Sequence, residues 1–266
     1  MKNKNFSHTF VLTTFKKSKY LEKCLKSLIN QKTKSEIIIT TSKPFDGLKK
    51  ISKKYGIKLF IFKSHKNIAN DWNRGLKKAK TKWVTIAHQD DIYLPEYTEN
   101  IKKYITKYNR ANLIFTDYAQ IIKNKVKKNT LLLTIKRIIL NIFFLGRNEI
   151  QSKINKINCL RFGCPIPCPT VTIKKKPGKY KIFNENYKIN IDWLAWLNFA
   201  KKNGSFVRIN KVLLYHRIHK TSETSKAIKF GYRQIEDKKI LGLVWPNFIA
   251  RTLAFFYQIS YKKNIL

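Results

Sequence analysis

Acidic side chains are scarce in this 266-residue chain: 15 Asp and Glu stand against 56 Lys and Arg, a formal charge of +41. A surplus of that sign excludes a cationic partner and favours an anionic one, such as nucleic acid, a lipid surface or a phosphorylated substrate. The lysines are scattered rather than blocked, so most belong to solvated faces. An AT-rich genome produces the same Lys, Asn and Ile bias. Cysteine is sparse too: Cys24, Cys159, Cys164 and Cys168. The cluster CLRFGCPIPC has no CxxC pair and no nearby fourth ligand, which argues against zinc. Reduced, buried thiols of a cytosolic protein are the simpler reading. The opening MKNKNFSHTF lacks the apolar core of a secretory signal and runs into a strand.

A clean membrane-spanning run is missing as well; such a helix needs about 20 mostly apolar residues. The segment LLLTIKRIILNIFFLG is short and carries Lys136 and Arg137. The segment ILGLVWPNFIARTLAFFYQISY is long enough, but Pro246, Asn247 and Arg251 interrupt it. Flanked by Lys238, Lys239, Lys262 and Lys263, it reads as an interfacial helix. Internal repeats are absent. So are a recognition helix, zinc-finger spacing and an aromatic RNP-like strand, so nucleic acid is not the expected partner.

What is present is a foldable chain. Its apolar fraction is 43%, with 13% aromatics, enough for one large domain or two small ones. The first half alternates. Strands are expected at TFVLTTF, EIIIT, IKLFIF, KWVTIAH and NLIFTDY. Helices are expected at SKYLEKCLKSLINQ with Ser18 as cap, near Phe45 to Lys54, from Asp71 to Lys80 and from Pro95 to Tyr108. Short, continuous apolar strands separated by helices predict an α/β fold with a mostly parallel sheet covered on both faces. After Tyr118 the alternation breaks. An amphipathic helix is expected within Lys123 to Leu145, with Ile135, Ile138, Ile139, Ile142 and Phe143 at helical spacing. A Pro-rich turn, a strand TVTIKK, a helix IDWLAWLNFAKKNG closed by Gly204, and a strand-turn-strand SFVRINKVLLYHRIH follow.

In open α/β sheets, ligands sit outside the carboxyl ends of the strands. Three polar clusters fall at such ends: Thr13-Thr14, Thr40-Thr41-Ser42 and His88-Gln89-Asp90-Asp91. Each alone is ordinary turn chemistry. Two adjacent carboxylates in so basic a chain are harder to assign to a turn. Strand alternation puts His88 and Asp90 on one face and Asp91 on the other. A carboxylate there suits Mg²⁺ or Mn²⁺ bridging a diphosphate. The reaction then needs a second carboxylate to take a proton from an incoming hydroxyl. Asp192 is the candidate base; it opens a helix, where the dipole favours negative charge. N-capping is the competing reading of Asp192. Trp193 and Trp196 beside it read either as a sugar-stacking platform or as core.

The segments FVLTTFKKSKYLEKCLKSLINQ, NIANDWNRGLKKAKTKWVTIAHQDDIYLP and IDWLAWLNFAKKNGSFVRINKVLLYHRIHKTSET, in this order, resemble a family-two glycosyltransferase of GT-A fold, of the bacterial polysaccharide or lipid-glycan type. The likeness runs from Phe10 to Thr224. It implies inverting transfer from a nucleotide-sugar donor to a glycan or lipid-linked acceptor. Asp90 matches the second Asp of the DXD motif and His219 the late-motif histidine, both as metal candidates. Asp192 matches the catalytic base. Thr13, Thr14 and Phe15 match the first nucleotide-contacting turn, and Asn73 and Gly75 the Asn-x-Gly pair before the DXD strand. Thr41 and Ser42 stand where the family carries the acidic pair that reads uracil. His88 stands in place of the first DXD Asp, and Trp72 in place of a frequent Arg. The resemblance divides the domain into a nucleotide-sugar half, residues 1–120, and an acceptor and base half, 121–225, followed by a basic, aromatic extension, 226–266. A cytoplasmic enzyme, peripheral on an anionic inner leaflet, is the expected setting. An inert sugar-nucleotide binder and a basic nucleic-acid binder are the alternatives.

Overall fold

The computed structural model describes residues 6–219 and 222–263. Its first half alternates: β1 (His8–Thr14), α1 (Leu21–Ile29), β2 (Glu36–Thr41), α2 (Leu48–Lys54), β3 (Lys58–Ile61), α3 (Ile68–Lys78) and β4 (Trp83–His88). A short β5 (Ile92–Tyr93), α4 (Tyr97–Lys107) and the long β6 (Ala111–Ile122) follow. Then come β7 (Lys125–Lys127), α5 (Leu131–Phe144), β8 (Glu149–Ile150), α6 (Lys153–Asn158), β9 (Val171–Lys174), α7 (Ile191–Ala200) and β10 (Ser205–Ile218). Three helices close the described chain: α8 (Glu223–Lys229), α9 (Tyr232–Leu241) and α10 (Asn247–Lys263).

The strands form one mixed sheet in the order β3-β2-β1-β4-β9-β6-β10-β5, with β7 on β6 and β8 on β10. The pairs β1–β2, β1–β4, β2–β3 and β6–β10 are parallel. β9 runs antiparallel between β4 and β6 and joins the two halves into one sheet. Phe10, Val11 and Leu12 of β1 are all 0% exposed, because helices cover both faces. Val11, Ile38 and Val84 face one core layer, with Leu76 of α3 and Trp196 of α7. Phe10, Leu12 and Ile39 face the other, with Leu25 of α1 and Ile101 of α4. Gly75 lets α3 approach β1 closely: a Cβ there would lie 2.6 Å from Val11 Cγ1.

Three local expectations change. α3 starts at Ile68, not Asp71, because the Asn67 side chain caps it by accepting from Asn70 N at 2.9 Å. Ser18 does not cap α1; its Oγ accepts from Tyr20 N at 3.2 Å and braces the turn before the helix. SFVRINKVLLYHRIH is one strand rather than strand-turn-strand. Register shifts between Ile209 and Leu214 absorb the irregularity as a bulge, so pairing with β6 continues to Ile218.

One buried group sets an acid limit on stability. His8 is 2% exposed, with Nδ1 2.9 Å from Ser35 Oγ and Nε2 2.9 Å from Thr85 Oγ1. Burial pushes its pKa down to about 3. The unfolded chain binds this proton near the ordinary value of 6.5, so acid favours the unfolded state between 6.5 and about 3. Between pH 7 and pH 5 the expected loss from this group is about 2 kcal/mol. Urea midpoints at the two pH values measure it, and His8→Gln should flatten the slope.

Candidate active site

The sheet register brings the three polar clusters together. Thr13 on β1 pairs with Thr40 on β2 and with His88 on β4, and Thr14 pairs with Thr41. Their hydroxyls are engaged locally: Thr13 donates to Ala87 O at 3.2 Å, Thr14 to Thr40 O at 3.4 Å, and Thr41 accepts from Lys43 N at 3.1 Å. Beyond β1 the Gln89 side chain clamps the Phe15 backbone. Phe15 N donates to Gln89 Oε1, and Gln89 Nε2 donates to Phe15 O, both at 3.2 Å. The next residue, Lys16, adopts φ 60, a left-handed conformation that turns the loop toward β2 and lets its N–H reach Lys43 O at 3.1 Å.

The two adjacent carboxylates have different tasks. β4 ends at His88, and the chain turns, with Asp91 N donating to His88 O at 3.3 Å. Asp91 is 0% exposed. Its Oδ1 accepts from Arg217 N at 3.0 Å and lies 2.9 Å from His216 Nδ1. Asp90 is partly exposed, and its Oδ2 lies 2.7 Å from His219 Nε2. Arg217 ties the turn down, donating from Nε to Asp90 O at 3.0 Å while its guanidinium stacks 4.0 Å over the Tyr20 ring. β5 pairs antiparallel with β10 at Leu214 and Tyr215, which holds 90–91 against the His216–His219 segment.

Electrostatics separates the histidines. Burial lowers the His88 pKa, against the pull of the Asp91, Asp90 and Asp192 carboxylates, so the ring is neutral near pH 7. Burial opposes charge on His216 too, but the Asp91 carboxylate outweighs it and raises that ring above its usual range. Asp90 is also buried, which disfavours its charge. The hydrogen bond from His219 and the charges of His88, His216 and His219 more than offset this and hold the carboxyl below its ordinary value. His88 stacks on Trp72 with centroids 5.1 Å apart, and its buried Nε2 has no hydrogen-bond partner. A buried ring nitrogen without a partner points to an absent one.

Asp192 occupies the first turn of α7, half-buried, and its Oδ1 accepts from Trp193 N at 2.8 Å. Its carboxylate acts on the His88 ring together with that of Asp90. It also acts on Cys168, whose thiol burial pushes up and which the Asp91 charge reaches as well. Trp193 and Trp196 are each 1% exposed and donate from Nε1 to Leu160 O at 2.8 Å and Ile166 O at 3.0 Å. They are core, not a stacking platform: α7 is apolar on nearly every side and sits inside the fold.

Two further arrangements were not legible in the sequence. Strand alternation separates Asp91 from Asp90, but the partners of Asp91 on β10 appear only when that strand is placed beside it. At the β2 end, Ser42 Oγ donates to Asp71 Oδ2, and His65 Nδ1 lies 2.9 Å from both of those oxygens. The His65 ring lies 4.8 Å from the Phe15 ring. Asp71 thereby restores a carboxylate beside Ser42, from α3 instead of from β2. Asn73 is spent elsewhere: its Oδ1 accepts from Ile182 N and Phe183 N, both at 3.0 Å, and its Nδ2 donates to Phe183 O at 2.8 Å. The sheet register therefore brings Thr13, Thr14, Thr41 and His88 together at the strand ends, with Phe15 and Ser42 in the loops that follow and Asp90 paired to His219; Asp192 stands at the start of α7, and Asn73 is given to the 182–185 loop.

Comparison with known proteins agrees with this architecture. No curated protein matches the sequence. Among solved structures, S. aureus TarS 1-349 superposes with a TM-score of 0.62 at 13% identity, covering 94% of this chain and 69% of that one. The same TarS fragment in complex with UDP-GlcNAc gives 0.61 at 15% identity, covering 94% and 70%. The mannosyltransferase PcManGT from Pyrobaculum calidifontis, in complex with GDP-Man and Mn²⁺, gives 0.57 at 13% identity, covering 98% and 76%. At such identities the likeness establishes the fold, a GT-A-like α/β sheet. The family model described as Glycosyl transferase family 2 matches residues 9–175, more than half of the chain and inclusive of the β1, β2 and β4 ends. This chain therefore belongs to glycosyl transferase family 2 and is a glycosyltransferase.

Proposed function

We propose that the chain is an inverting, metal-assisted glycosyltransferase in which Asp192 is the general base and the acceptor is a hydroxyl of a glycan or a lipid-linked glycan. The observations that support this reading are the Asp90 carboxylate meeting His219 Nε2 at 2.7 Å just beyond the β4 end, beside the β1 and β2 ends, and a second carboxylate, Asp192, in the first turn of α7. Asp192 takes the proton of the incoming hydroxyl, whose oxygen attacks the anomeric carbon opposite the departing diphosphate; a single in-line displacement inverts that centre. Phe15 and the β1 turn lie where the nucleoside enters, and Asp71 with Ser42 and His65 offers acceptor atoms to the edge of its base.

The donor set at Asp90 and His219 fits a divalent ion. A carboxylate oxygen and an imidazole nitrogen meet there at 2.7 Å. Among the described residues no cluster of three or more potential ligands forms, so diphosphate oxygens and water would complete the shell, as is usual for Mg²⁺. When bound, such an ion neutralises charge developing on the leaving diphosphate.

A thermal-shift panel of UDP, GDP, ADP and CDP, with and without Mn²⁺, tests the donor side. A ligand at 100 times its Kd stabilises the native state by about 2.7 kcal/mol. A shift that needs Mn²⁺ is expected for at least one diphosphate, with Asp71→Asn changing the ranking of bases. No shift with any nucleotide would sink the reading.

The membrane setting follows from what the helices leave outside. Among the described residues no helix is long and apolar enough to cross a bilayer. α5 buries Leu133, Leu140 and Phe144 and exposes Leu131, Ile135, Ile138 and Ile142. α10 exposes Phe248, Phe255 and Phe256; the side chains of Lys262 and Lys263 lie outside the described residues. Apolar stripes on a chain of charge +41 suit the surface of an anionic leaflet on the cytoplasmic side. Co-sedimentation with phosphatidylserine vesicles is expected at low salt, weaker at high salt, and reduced by Ile138→Glu together with Phe255→Glu.

A further inference from the structure

The family match ends at residue 175, yet the tail beyond it reaches back into the site. The chain contains two pairs of adjacent acids, Asp90-Asp91 and Glu236-Asp237, among only 15 acidic residues. The second pair lies on α9 and is buried: Glu236 is 7% exposed and Asp237 1%. In so basic a protein an acid pair would be expected to collect lysines at the surface. Glu236 instead accepts from three consecutive backbone amides, Lys188 N at 2.6 Å, Ile189 N at 3.0 Å and Asn190 N at 2.9 Å. Asp237 Oδ1 accepts from Asn190 Nδ2 at 2.7 Å.

Those amides end at the N-cap of α7. Asn190 holds the cap position, but its side chain makes no capping bond, because Asp237 has taken it. Two residues later stands Asp192. The preceding chain has no strand or helix of its own from Lys175 to Asn190; Asn67 and Asn73 hold it at 182–185, but its last residues, 188–190, still need an anchor beside α7. The carboxylate of Glu236 supplies that anchor from outside through charge-assisted bonds, which are short and strong.

We propose that Glu236, supported by Asp237, is the positioning residue for Asp192, so that α9 is part of the catalytic apparatus although it lies beyond the family's matched segment. The proposal rests on the reading of Asp192 as base. Misplacing a reacting group by about 1 Å can cost on the order of a hundredfold in rate. Donor binding sits on the other wall, at the ends of β1, β2 and β4, and does not depend on this grip.

The test uses the full chain and Glu236→Gln, which keeps the shape but replaces one acceptor oxygen by a donor facing an N–H. Hydrogen exchange of the peptide spanning 186–194 reads the grip; donor hydrolysis or transfer, per folded molecule and well below the melting temperature, reads its consequence. Exchange at 188–190 is expected to quicken about tenfold or more, and kcat to fall by about ten- to a hundredfold. The Kd of the nucleotide diphosphate should stay within about twofold, since its contacts are remote and independent. Asp237→Asn, which weakens the hold on the Asn190 side chain and the ion pair to Arg233 but leaves the three backbone amides to Glu236, should show the same pattern more weakly and serves if Glu236→Gln does not fold. Unchanged exchange, wild-type kcat per folded molecule, or an equal loss of nucleotide affinity would each overturn the proposal. Absence of turnover in the unmutated protein would remove the base role of Asp192 and with it this role of Glu236. The exchange result would then still report whether the grip exists.

Discussion

Asp192→Asn is expected to bind nucleotide diphosphate as the unmutated protein does and to turn over about 100- to 10,000-fold more slowly, the range for a lost general base. The substitution is close to isosteric. Its amide oxygen can still accept from Trp193 N, so the start of α7 keeps the bond that Asp192 Oδ1 makes at 2.8 Å. What disappears is the capacity to accept a proton. Initial rates with a donor identified by the nucleotide screen, alongside the thermal shift of the diphosphate, separate the two effects. A rate near the original would take Asp192 out of the reaction. A parallel fall in diphosphate affinity would mean that the change had disturbed the donor wall rather than the chemistry.

The second large effect distinguishes neighbours. Asp91→Ala should cost about 1–3 kcal/mol of folding stability, as expected when a buried donor loses its acceptor. Asp91 is 0% exposed and holds both His216 Nδ1 and Arg217 N, so its loss leaves a ring that burial disfavours as a cation and an amide without an acceptor. Asp90→Ala should leave the fold nearly intact and abolish the Mn²⁺-dependent part of the nucleotide shift, because its carboxylate faces His219. Urea denaturation and the metal-dependent shift, run on both variants, should give opposite patterns. If both variants only unfold, or both only lose Mn²⁺, the division of labour between the two acids is wrong. The pair also sets a pH trend. The His216 pKa is raised on folding, so its stabilising contact is complete below the ordinary histidine value and is lost as pH rises through the raised one. Asp91→Ala should remove that part of the alkaline decline.

Much of the convergence of the β1, β2 and β4 ends was legible in the sequence. β1, β2 and β4 announce themselves as continuous apolar runs, and their polar ends follow from the rule that parallel strands present their carboxyl ends to ligands. The α5 stripe is legible too, but its direction is not. Helical spacing says that Ile135, Ile138 and Ile142 share a face; packing decides that Leu133, Leu140 and Phe144 go inward and the isoleucines outward. Trp193 and Trp196 failed as a stacking platform for the same reason. A helix apolar all round has no face that spacing alone can assign to solvent. Asn73 carried the right motif but was drawn to the 182–185 loop, a partner more than a hundred residues away.

The amino-acid sequence by itself determined the α/β class, the succession of strands and helices in the first half, and the residues that end each strand, because these depend on local periodicity and turn chemistry. Only the tertiary structure decided which partners the acids of each adjacent pair meet. That depended on β10 lying against the turn after β4 and on α9 closing over the start of α7. Both are contacts between segments far apart in the chain, whose energies appear in no local pattern.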